Sequence, residues 1–152
     1  MNTTPRRPGA LTRQAVQELV RRGLAPLDPW DEPDALLRLL SPRGLVVHLP
    51  DRDLRGPAAV RAWANEFVRT RELRCQPVGA PRITLTSPVH ADVVLDVRWT
   101  LAPRGERART TTDSAQVELS TVLAGDRPVI RTCAVHPFPS PTPPATPRPG
   151  RA

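Results

Sequence analysis

The segment that most constrains this chain is Leu45–Val68, LVVHLPDRDLRGPAAVRAWANEFV. Leu45–Leu49 is a short apolar run of strand type. A polar loop follows, closed by Arg55-Gly56-Pro57. Proline is favoured at the first position of a helix, so Gly56-Pro57 marks a helix start. Beyond it Val60, Trp63, Ala64, Phe67 and Val68 recur at the spacing of one apolar helical stripe, with Arg61, Asn65, Glu66 and Arg69 on the other faces. A buried strand, a polar loop and a one-sided helix must pack together. With two helical segments before this unit and strands after it, the order predicts an α+β fold. Three N-terminal helices wrap a curved antiparallel or mixed sheet, cone-shaped, and enclose a pocket.

From Thr12, the residues Ala15, Val16, Leu19 and Val20 have helical spacing, and Gly23 offers a stop. The loop around Trp30 carries three prolines. Pro33 opens a short helix, DALLRLL, which Ser41-Pro42-Arg43-Gly44 breaks. After residue 72 the period falls from 3.6 to 2. Ile83–Thr86 reads as a strand preceded by an irregular run containing Pro77 and Pro81. In His90–Leu101, Val93, Leu95, Val97 and Trp99 alternate with Asp92, Val94, Asp96, Arg98 and Thr100. Arg109–Leu123 and Val129–Val135 are the last two strands, joined by a turn at Gly125-Asp126-Arg127. Seven prolines follow His136, a composition that fits neither a helix nor a sheet interior. The expected organisation is a flexible tail over 1–10, one domain over 11–136 and a proline-rich disordered tail over 137–152.

The net charge of +7 raises the question of nucleic acid. All 22 basic residues are arginine, a pattern of codon usage in a GC-rich genome, and they are spread along the chain. With two Phe, three Trp and no Tyr, stacking platforms are scarce. No nucleic-acid partner is expected. No apolar run approaches the roughly 18 residues of a membrane helix, and the first ten residues lack an apolar signal core. Cys75 and Cys133 form no paired motif, and three scattered histidines complete no metal set, so neither metal nor cofactor is expected. A reduced, cytoplasmic protein is the expectation.

Several short motifs resemble the nuclear transport factor 2-like superfamily and, within it, the SnoaL-like proteins. His48-Leu49-Pro50 is similar to the family's H-x-P at the end of the first strand. Arg55-Gly56-Pro57-Ala58-Ala59-Val60 is similar to its helix start. Val97-Arg98-Trp99, and Gly125 to Ile130, are similar to its central strand and final hairpin. These motifs span about residues 12–136 of the chain. The resemblance implies a cone-shaped α+β barrel with a pocket between sheet and helices, and often a homodimer packed through the sheet. Its members include cyclases, isomerases, dehydratases, epoxide hydrolases and non-catalytic proteins, so the fold leaves the reaction open.

The ketosteroid isomerase pattern is broken, because the chain has no tyrosine and carries Leu49 where that family has Asp before Pro. Scytalone dehydratase-like chemistry also relies on tyrosine. The epoxide hydrolase set keeps Arg98, but Thr100 replaces its aspartate; Asp96 could substitute geometrically, since side chains two apart on a strand project together. The SnoaL-like acid/base position falls on Glu118-x-Ser120, and His48 retains the first-strand histidine.

The resemblance therefore implies a catalytic set of His48, Asp96, Arg98 and Glu118 facing one cavity, with Trp30, Trp63, Asp113 and Ser120 against the substrate. The alternating strand alone gives a different reading, in which Asp92, Asp96 and Arg98 are a solvent face. His90 is expected exposed at a turn. The implied function is a cofactor-independent cyclase or isomerase of secondary metabolism, acting by proton transfer on a hydrophobic polyketide-like or terpenoid substrate. The alternatives are a non-catalytic ligand-binding or interaction module and an epoxide hydrolase-like enzyme.

Overall fold

The structure is a computed structural model that describes residues 9–24 and 33–137. Trp30 and nearly all of the two expected tails lie outside the described residues. The elements in chain order are α1 (Arg13–Leu24), α2 (Pro33–Leu37), β1 (Val46–His48), β2 (Asp53–Arg55), α3 (Pro57–Thr70), β3 (Arg71–Ser87), β4 (His90–Pro103), β5 (Thr111–Ala124) and β6 (Arg127–Pro137). A 3₁₀ turn, Arg107–Arg109, lies between β4 and β5.

The six strands form one curved mixed sheet in the order β2-β1-β6-β5-β4-β3. β1 runs parallel to β6, and every other pairing is antiparallel. β2 arises within the segment read from sequence as a polar loop, where three residues pair back on β1. The long β3 also departs from the expected irregular run. Its Pro77 and Pro81 are tolerated because β3 is an edge strand, where one side of the backbone needs no ladder partner. Between Val78 and Arg82 the register slips, and Gly79 takes φ 76° there, a left-handed conformation open to glycine.

The helices follow their sequence signals. The Thr12 hydroxyl accepts a hydrogen bond from the Ala15 N–H at 3.1 Å, capping α1. α1 buries Val16, Leu19 and Val20. Arg13 is tied to the sheet by a 2.8 Å hydrogen bond from its guanidinium to the Ile83 carbonyl. Pro57 opens α3, and the Gly56 N–H donates to the Leu45 carbonyl at 2.8 Å, which fixes the helix to the entry of β1. The core lies between these helices and the inner face of the sheet, with Val93, Leu95 and Val97 from β4 and Ala115, Val117 and Leu119 from β5. Thr121 is buried among them, and its hydroxyl donates to the Ala91 carbonyl at 3.0 Å, which satisfies the polar group.

Candidate active site in an apolar cavity

The core does not fill the space between α3 and the sheet. A cavity of about 410 Å³ remains there, within the range of small-molecule sites. The apolar stripe of α3 forms its helical wall. Val60 and Ala64 are buried, while Trp63 and Phe67, on the same side, are half-buried and face the cavity. Their rings lie 5.0 Å apart at 35°. The sheet contributes Val97, Trp99 and Leu101 from β4, Val117 and Leu119 from β5, and Cys133 and Val135 from β6.

Against this apolar wall stand four charged residues: Asp51, Arg52, Arg71 and Asp113. Asp51 and Arg52 occupy each other, with the guanidinium donating from Nε at 3.2 Å and Nη2 at 2.9 Å to one carboxylate oxygen. These hydrogen bonds, with the charge of Arg52 and more weakly of Arg71, hold the Asp51 carboxyl below the ordinary carboxylate range. Asp113 faces Trp99 directly across the β4–β5 ladder. No described side chain hydrogen-bonds to or pairs with Asp113 among the described residues. Burial pushes the Cys75 thiol up to about 11 and the Cys133 thiol up to about 12, so both are held as neutral thiols. Among the described residues no group of three His, Cys, Asp or Glu is arranged to hold a metal ion.

Of the residues drawn from sequence, Trp63 and Asp113 line this cavity. The expected catalytic set does not converge there, and the expectation that it faces one cavity is corrected. Asp96, Arg98 and Glu118 project from the outer face of the sheet, because Leu95, Val97, Val117 and Leu119 take the inner parity of their strands. Asp96 lies 3.9 Å from Arg82, with one carboxylate oxygen buried and unbonded. Arg98 is exposed. Glu118 is 3.7 Å from His136.

His48 points away from the cavity, with Nδ1 2.8 Å from an Asp53 oxygen, while Val47 and Leu49 on either side face inward. Ser120 is also on the outer face, 2.8 Å from His90 Nε2. His90 is half-buried rather than exposed, since its other ring nitrogen meets the Thr86 hydroxyl and Asp92 lies 3.6 Å from Nε2.

Sequence reasoning missed Asp51, Arg52 and Arg71. For Arg71 a signal was present. It follows Trp63 and Phe67 at steps of four residues, which extends the cavity-facing row to the end of α3.

A curved sheet with a helix closing its concave face over an apolar pocket defines a class of small α+β pocket proteins. The chain has the nuclear transport factor 2-like fold. A nuclear transport factor 2-like superfamily protein from Salmonella enterica serovar Typhimurium superposes with a TM-score of 0.69 at 16% identity, covering 86% of this chain and 94% of that one. A scytalone dehydratase-like protein from Novosphingobium aromaticivorans gives 0.71 at 14% identity, covering 82% and 83%. A ketosteroid isomerase-like protein from Erwinia carotovora atroseptica gives 0.68 at 11% identity, covering 84% and 98%. No family model matches the chain. No curated protein matches it either.

Proposed function

We propose that this chain binds a hydrophobic small molecule in the cavity and moves a proton on it, with Asp113 as the acid/base group. The reaction class is that of a cofactor-independent isomerase or cyclase. The observation that carries this reading is the placement of Asp113. It is a carboxylate with no partner among the described residues, on a largely apolar wall, and it pairs across the strands with Trp99. A carboxylate free of fixed hydrogen bonds keeps its lone pairs for a substrate proton.

In the simplest cycle Asp113 takes a proton from a carbon next to a carbonyl. The electron pair moves onto the carbonyl oxygen, and Asp113 returns the proton at another position of the same molecule. The same enolate, attacking a second carbonyl within the substrate, would close a ring, and the proton held by Asp113 would pass to the alkoxide so formed. Names among the structural neighbours point to chemistry of this general type, although they are said of those proteins. The epoxide-opening reading loses its footing, since it needed Asp96 and Arg98 in the cavity.

The test follows deuterium uptake by NMR at the α-carbon of aryl ketones incubated with the protein in D₂O. The wild type should accelerate uptake for at least one ketone that binds. Asp113→Asn should abolish the acceleration while binding persists. Binding without acceleration in the wild type would leave a ligand-binding module and sink the enzyme reading.

A further inference from the structure

The ligand's polar chemistry is readable at the rim of the same cavity. We infer that the molecule held there is a planar, mostly apolar acid whose anionic group seats on Arg71. This rests on the cavity reading above and deepens it.

Three observations converge. First, Trp63, Phe67 and Arg71 form one row along the cavity wall, with the two rings 5.0 Å apart and tilted by 35°, and the Arg71 guanidinium 5.5 Å from the Phe67 centroid. Trp99 stands on the opposing sheet wall. Aromatic surfaces on both walls favour a flat body between them.

Second, of the two cavity arginines, Arg52 is occupied by Asp51, whereas Arg71 makes no ion pair among the described residues and acts on Asp51 only as the weaker, more distant charge. Its guanidinium lies over the Phe67 ring and makes no hydrogen bond among the described residues, so its N–H groups are open to a carboxylate or sulfonate.

Third, Arg71 and Asp113 are separated along the sheet. Asp113 shares a row with Trp99 and Cys75, and Arg71 begins β3 four residues before Cys75. That offset is roughly 13 Å along the strand direction. An anionic group on Arg71 therefore stays clear of the negative Asp113, and the reactive part of the ligand reaches inward toward it.

Two dyes that share a fluorophore test this. 1-Anilinonaphthalene-8-sulfonate carries an anionic group, and N-phenyl-1-naphthylamine lacks it. Fluorescence titrations are run on the full chain as wild type, Arg71→Gln and Arg43→Gln, the last lying outside the cavity. The wild type should bind the anionic dye about tenfold more tightly than the neutral one, the factor expected of one charge-assisted hydrogen-bonded contact. Arg71→Gln should erase that preference, so that the two dyes bind equally, and Arg43→Gln should keep the preference intact. Equal binding of the two dyes by the wild type overturns the inference. So does an anionic preference that survives in Arg71→Gln or disappears in Arg43→Gln. Those results with the neutral dye still bound leave the cavity reading standing. Failure of both dyes to bind overturns both.

Discussion

Trp99 and Asp113 are paired directly across the β4–β5 ladder and project into the same cavity. This single cross-strand pair joins the apolar wall to the carboxylate that can do chemistry on it. β6 pairs with β5 from Ala115 onward, so among the described residues Asp113 lies beyond the end of that ladder, with β4 on one side and no described strand on the other. Its partial exposure and its access to a ligand have the same origin.

Asp113→Asn is expected to change stability little, within about 0.5 kcal/mol, because the side chain is exposed and breaks no described contact. Urea midpoints of the two proteins check this. A larger loss would mean that Asp113 holds the fold together rather than serving a ligand.

The core should respond by parity along β4. Leu95 is 1% exposed, and Leu95→Ala should cost about 2–5 kcal/mol. Arg98→Ala, three residues on and exposed on the outer face, should stay within about 0.5 kcal/mol. Denaturant unfolding of both variants checks the assignment of the inner face. Comparable costs would contradict it.

Gly44 should resist substitution. Its φ is 69°, and a Cβ there would lie 3.2 Å from Arg131 Nε. Gly44→Ala should cost about 1–3 kcal/mol through backbone strain. Adding Arg131→Ala should recover only the steric part, which thermal unfolding of the single and double variants would separate.

Alkaline stability should report the two thiols. The chain has no tyrosine and no lysine, so Cys75 and Cys133 are the side chains that titrate between the ordinary thiol range and the arginines. Burial raises both, to about 11 and about 12. A raised acid holds its proton longer in the folded state than in the unfolded chain. The associated stability is complete below the unfolded value near 9 and is lost as the pH rises toward 11 and 12. Urea midpoints should fall with pH above about 9 in the wild type. They should fall less steeply in Cys133→Ala. Identical slopes would show that Cys133 is not held neutral by burial.

Much of the fold was legible in the sequence because its signals are periodic. The α3 stripe and the alternation of β4 each express one buried face, and Gly56-Pro57 marks where α3 starts. The reach of β3 was hidden, because Pro77 and Pro81 read as breakers unless the strand is known to be an edge. The site was less legible for a deeper reason. Hydrophobic alternation identifies an inner face but does not separate a filled core from a cavity wall, since both are apolar. The family resemblance turned Asp96 and Arg98 inward, while the alternation of their own strand, with Leu95 and Val97 buried, turns them out. Asp113 sits among threonines, outside any apolar period. Its parity with Ala115, Val117 and Leu119 was the available signal, and it needed the neighbouring strand's register to become informative.

The most direct test of the account compares deuterium uptake by one bound ketone in Asp113→Asn with that in the outer-face double variant Arg98→Ala/Glu118→Gln. The account predicts that the inner substitution removes about 10²-fold or more of the rate, the scale of general acid–base catalysis, and that the outer pair leaves it at the wild-type value. Full activity in Asp113→Asn with loss in the double variant would contradict it and move the chemistry to the outer face of the sheet.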